Sequence, residues 1–112
     1  MDREDLLAVI DSKEIIDGAF KILDEKRYEL IQEDTTSVYY LVRGTQLYFV
    51  AIHNDGKTFC SCKAGQVGRL CKHRVAGVLD IAKRGGDRLG IELLVKIIKW
   101  FKQGESDGDN GS

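Results

Sequence analysis

The spacing of apolar residues changes twice along the chain. Leu6, Leu7 and Ile10 form a short helical stripe, and Asp11-Ser12-Lys13-Glu14 reads as a capping box opening a second helix, in which Ile15, Ile16, Ala19, Ile22 and Leu23 fall at core spacing. From Tyr28 onward β-branched and aromatic residues dominate. YELIQ, SVYYLVR and QLYFVAIH are separated by Asp34-Thr35-Thr36 and Arg43-Gly44-Thr45, which predicts an antiparallel meander. Asn54-Asp55-Gly56 is a hairpin-turn signal, so Lys57-Thr58-Phe59-Cys60 should begin a fourth short strand.

Helical periodicity returns after Cys71, with Val75, Val78, Leu79 and Ala82 on one face and Gly85-Gly86 as the stop. A last helix is expected from about Leu89 to Lys102. The polar end GESDGDNGS reads as a disordered acidic tail over 104–112. The prediction is an α+β fold: N-terminal helices, an antiparallel meander of three to four strands, a ligand-bearing loop, then two C-terminal helices. No internal repeat or linker interrupts it, so residues 1–103 are expected to form a single domain, in keeping with a chain of 112 residues.

Composition adds a compartment and a charge polarity. No apolar run approaches the roughly 20 residues of a membrane span, and MDREDLLAVIDSKE lacks the basic region and cleavage site of a secretory signal, so an intracellular protein is expected. The net charge of −1 conceals an acidic start and a basic centre. Residues 1–34 hold eleven acids and five bases, whereas residues 57–88 hold eight bases and two acids.

The three cysteines lie within FCSCKAGQVGRLCKHRVAG, from Phe59 to Gly77, beside one of the two histidines. An odd number of cysteines in a reducing compartment does not suit disulfides, which makes metal ligation the better reading. In an extended segment residues i and i+2 share a face, so Cys60 and Cys62 point two sulfurs at one ion while Ser61 faces away. Cys71, where the next helix should begin, and His73, in its first turn, complete the tetrahedral set of three sulfurs and one nitrogen that zinc favours. Nearby Lys63, Lys72 and Arg74 and the helix N-terminus would stabilise thiolates. Gly65 and Gly68 would let the loop double back. The competing reading makes the cysteines small buried hydrophobes and His73 an ordinary surface imidazole.

Cys60-x-Cys62, eight residues, then Cys71-x-His73 resembles the SWIM zinc finger. Ala76, three residues after the histidine, matches the extended Cys-x-His-x-x-Ala form associated with small, stand-alone, recombination-related members. The resemblance implies a ββα-like centre over about 46–84 holding one structural zinc. It also implies a module that contacts protein or DNA, here an accessory protein whose partner is a RecA-family recombinase paralogue in homologous recombination or DNA repair. The alternative is a zinc module that binds nucleic acid directly. Neither reading is enzymatic, because the sequence has no phosphate-binding Gly-x-x-x-x-Gly-Lys-Ser/Thr loop, no serine elbow and no His-Glu-x-x-His.

Two surfaces are candidates for contact. Lys63, Arg69, Lys72, Arg74, Lys83 and Arg84 form either a phosphate-binding set or a solvated one that balances the thiolates. Tyr39, Tyr40, Tyr48 and Phe49 alternate between faces, so at most about half can be exposed for base stacking and most are expected in the core; His53 is a weaker candidate for a ligand. In the last helix Ile91, Leu94, Ile98 and Phe101 are expected to pack inward. That leaves Leu93, Ile97 and Trp100 as a flank for a partner or a second copy, unless the N-terminal helices cover it.

Overall fold

The computed structural model describes residues 1–66 and 69–111, with side chains described through Ala64 and from Arg69 to Lys102. Helices α1 (Arg3–Leu7) and α2 (Lys13–Asp24) precede four strands, β1 (Tyr28–Glu33), β2 (Ser37–Arg43), β3 (Leu47–His53) and β4 (Thr58–Cys60). A helical turn α3 (Lys63–Gln66) and two long helices, α4 (Lys72–Gly85) and α5 (Asp87–Gly111), complete the chain. The expected α+β order holds, and α3 falls where only loop was foreseen. Gly68 lies outside the described residues. The backbone of α5 continues beyond the expected end at Lys102, and the tail expected at 104–112 lies outside the residues described in full. Among the described residues no helix is long and apolar enough to cross a membrane.

The helix starts show a displaced cap. Ser12, not Asp11, caps α2, accepting from the Ile15 amide at 3.3 Å, which puts an isoleucine where a capping box needs a carboxylate. The reciprocal box sits at α1 instead, between Asp2 and Asp5 at 3.0 and 3.2 Å. At the other end of α4, Gly86 adopts φ 103° and stops the helix as Gly85-Gly86 foretold.

The strands form an antiparallel meander in the order β1-β2-β3-β4. The last hairpin closes through Gly56 at φ 97°, with the His53 amide donating to Lys57 at 2.9 Å and Asp55 accepting from the Lys57 amide at 3.0 Å. Alternation sends Tyr40, Val42, Val50, Ile52 and Cys60 to one face, where they are buried, and Tyr39, Leu41, Phe49 and Phe59 to the other. Of the four aromatics weighed from the sequence, Tyr40 and Tyr48 thus face inward, and Tyr39 and Phe49 outward.

Helix α4 lies on the inner face and is buried from His73 to Ala82. It approaches the sheet closely at Gly77, where a β-carbon would come within 2.6 Å of Ile52 Cδ1 and 3.4 Å of the Tyr40 ring. Three residues later the buried Asp80 accepts hydrogen bonds from Tyr40 at 2.7 Å, Tyr28 at 3.1 Å and Arg84 Nε at 3.0 Å. Burial first, and then the bond to Asp80, pushes the Tyr40 phenol well above its ordinary pKa, so it remains a donor across the physiological range.

Helix α5 packs on α4 through Leu93, Leu94 and Ile97. This corrects the expected orientation: Leu93 is 7% and Ile97 0% exposed, so neither is an open flank, while Ile91, Ile98, Trp100 and Phe101 are half-buried. The apolar arc of α5 is wide, and its centre predicts the packed face only if the neighbours are symmetric. Here Leu93 is drawn to one side, where it borders a cleft with Ile52 and Ile81.

Removing the Asp80 carboxylate would strand the buried donors around it. Asp80→Ala should lower the unfolding free energy of the zinc-loaded protein by about 3 kcal/mol, and Tyr28→Phe, which removes the longer bond, by about 1 kcal/mol. Denaturant titration measures both, and equal losses would show that Asp80 does not join helix to sheet.

Candidate metal centre

The first ligand pair depends on β4 remaining extended past its last ladder residue. The Ser61 amide donates to the Phe49 carbonyl at 3.1 Å, and the Phe49 amide donates to Ser61 Oγ at 2.9 Å. With Ser61 held to that side, Cys60 and Cys62 both point inward and both are buried. The second pair comes from α4. Cys71 is its N-cap in extended conformation (φ −131°, ψ 161°) and makes no side-chain capping bond, so its sulfur is available to the site. His73, in the first turn, is 6% exposed.

The four ligand atoms of Cys60, Cys62, Cys71 and His73 all lie within 4.8 Å of one another, with Cys60 Sγ 3.7 Å from His73 Nδ1. A tetrahedron with zinc–sulfur bonds of about 2.3 Å has edges of about 3.8 Å, so the set fits one zinc ion with little movement. The alternative in which His73 is a surface imidazole fails on burial.

Proximity divides the two facing thiols. Accepting from Cys60, and then from the His73 side, brings the Cys71 thiol down to about 4, against the opposing effect of burial. Donating to Cys71 and burial both push Cys60 up. A divalent cation among the four atoms favours the thiolate at both.

Two side chains steady the site from outside the ligand set. The Tyr48 ring lies 4.4 Å from the His73 ring, tilted by 34°, and its hydroxyl is 3.0 Å from Thr45 Oγ1, which limits rotation of the imidazole. Tyr48 went unnoticed in the sequence as a positioning residue, although hairpin register would have placed it inward beside Val50. Arg74 is the second. It is 3% exposed, and its Nη1 donates to the Arg69 carbonyl at 2.6 Å and lies 3.8 Å from Cys71 Sγ, with the guanidinium over the Phe101 ring at 5.0 Å.

The position of Arg74 overturns its expected role at a phosphate-binding face, since a buried guanidinium cannot meet a phosphate. The other five cations also do not form one surface. Lys63, Arg69 and Lys72 are exposed around the metal site. Lys83 and Arg84 sit roughly 17 Å further along α4 at 1.5 Å per residue. Arg84 is moreover engaged with Glu33 at 3.1 Å, Asp80 at 3.0 Å and Tyr40 at 3.1 Å.

Serine at Cys60, Cys62 or Cys71 should abolish tight zinc binding, which supplies on the order of 10 kcal/mol of folding free energy at neutral pH, and should lower the melting temperature in each case. Because cysteine ligands bind zinc as thiolates, zinc binding must release protons, so affinity should rise with pH and weaken under acid. Calorimetry in buffers of different ionisation enthalpy counts the protons. Zero release at pH 7, or zinc affinity unchanged in Cys71→Ser, would show that the ligands are not these.

Residues 48–77 match the family model of the SWIM zinc finger. No curated protein and no solved structure matches the chain. The matched segment runs from Tyr48, against the ligand histidine, through both ligand pairs to Gly77 at the helix–sheet contact. It lies inside the 46–84 centre that the resemblance implied. The chain is thus similar to the SWIM zinc finger over residues 48–77, and within that segment Cys60, Cys62, Cys71 and His73 are positioned to bind one zinc ion.

Proposed function

We propose that this protein is a non-catalytic, intracellular accessory factor in homologous recombination or DNA repair, and that it binds a RecA-family recombinase paralogue. Four protein ligands fill a tetrahedral zinc, which leaves the metal a structural part. The observation that carries the protein-binding reading is a cleft of about 340 Å³ between the α1–α2 connection and α5, with Val9, Ile15, Leu70, Ile98 and Phe101 among its walls and Asp11, Arg69 and Lys102 at its rim. An apolar hollow of this size accepts one or two large side chains from a partner segment, and the mixed charges of its rim favour a polar border around them.

The cleft replaces the Leu93–Ile97 flank as the contact surface on α5. Trp100 remains beside it, half-buried with its ring 5.0 Å from that of Phe101. Its far wall depends on zinc, because Leu70 precedes the ligand Cys71 and the Arg69 carbonyl is held by Arg74. Metal would therefore act on partner binding through the shape of the loop. The choice of a recombinase paralogue rests on the resemblance of Cys71-x-His73-x-x-Ala76 to the recombination-related form of the motif.

Titration calorimetry against the recombinase paralogue of the same cell should give a complex with weak salt dependence, lost on chelation of zinc and weakened about tenfold or more by Ile98→Asp with zinc content unchanged. Absence of a complex with the zinc-loaded protein, or a complex indifferent to both treatments, would remove this reading.

A further inference from the structure

The outward face of the sheet carries rings where an antiparallel sheet facing water ordinarily carries polar side chains. Tyr39 and Phe49 stack at 6.0 Å with 24° between planes; Phe49 meets Phe59 edge-on at 6.1 Å, and His53 meets Tyr39 edge-on at 6.4 Å. The row thus crosses β2, β3 and β4 without a break. Phe49 is 37% and Phe59 46% exposed, and Leu47 beside them is 59% exposed. A contiguous exposed patch of this kind is a contact surface rather than scattered apolar residues.

Charge narrows the occupant. The outward positions of β2, β3 and β4 include Arg43 and no carboxylate, and the exposed Lys57 directly precedes β4. Neither of these two cations takes part in an ion pair among the described residues. An outward acid, Glu29, stands on the edge strand β1, two strands and about 10 Å from Phe49. A second copy would present the same cationic border to itself, which opposes a two-fold pairing of this face. A polyanion with flat, unpaired faces meets both the rings and the border.

We propose that this face binds single-stranded nucleic acid, with bases stacked on Tyr39, Phe49 and Phe59 and phosphates passing Arg43 and Lys57. Stacking needs base faces that a duplex conceals, so single strands are selected over double strands without sequence readout. The site differs from the cation set around the zinc loop, and it lies on the side of the sheet opposite α4 and the cleft beside α5, so it stands or falls apart from the recombinase complex.

The test is fluorescence anisotropy of labelled oligothymidylate, oligouridylate and a duplex of equal length, titrated with zinc-loaded full-length protein at about 50 and 200 mM salt. The expected result is binding of a single strand at least tenfold tighter than the duplex, with the tighter of the two single strands naming DNA or RNA as the ligand. Tyr39→Ala and Phe59→Ala should each weaken it about tenfold at unchanged zinc content and melting temperature. Lys57→Ala should reduce the salt slope by about 0.7. Phe49→Trp keeps a ring in place, so it should retain affinity and show quenching of the new indole by the bound strand. Failure of both single strands to bind, affinity unchanged in both alanine variants, or sedimentation showing self-association that Phe59→Ala abolishes would each overturn the proposal, the last by making the face a protein interface.

Discussion

Helix α4 is buried from His73 to Ala82, and a helix enclosed on all sides is normally apolar all round. This one carries two charges inside, Arg74 near its start and Asp80 two turns later. Each is tolerable only because a specific partner set meets it, since an uncompensated buried charge costs several kcal/mol. Asp80 is answered by two tyrosine hydroxyls from β1 and β2 and by Arg84. Arg74 is answered by a loop carbonyl, a ligand sulfur and an aromatic ring. The position of α4 on the sheet follows from these two charges as much as from its apolar contacts, because sliding it by a turn would unpair both.

The metal belongs to the same balance. Zinc with three thiolates and a neutral histidine carries a formal −1, which in a buried site needs a cation nearby. Arg74 is placed to supply it, 3.8 Å from Cys71 Sγ, and it simultaneously fixes Arg69 in the loop between the ligand pairs. The zinc therefore does more than join β4 to α4. It makes a buried arginine acceptable, and that arginine orders the wall of the cleft beside α5.

The ligands were legible in the sequence because two i, i+2 pairs of soft ligands have few other uses, and the meander was legible because turn residues separate three alternating runs. What could not be read was anything set by a neighbour's position. Arg74 stands directly after a ligand in a basic stretch and looks like its exposed neighbours Lys72 and Arg69; only the packing of α5 across it, with Phe101 over the guanidinium, takes it out of solvent. Leu93 and Ile97 lie off the centre of a broad apolar arc, and which edge of such an arc is buried depends on where the next helix lies. Ser12 displaced the expected cap by one residue because both Asp11 and Ser12 are good caps, and the choice between them is made by the path of the incoming chain.

The two faces of the sheet are coupled by its pleat. In β3, Tyr48 turns inward against His73, so Phe49 must turn outward into the ring row; in β4, Cys60 turns inward to the metal, so Phe59 must turn outward. A slip of one residue in either strand would exchange a metal-site residue for a surface ring in a single step. Zinc bound by Cys60 and Cys62 forbids that slip in β4, and the Ser61–Phe49 pair of hydrogen bonds extends the same restraint to β3. The order of the exposed aromatic row is therefore a consequence of the buried metal site.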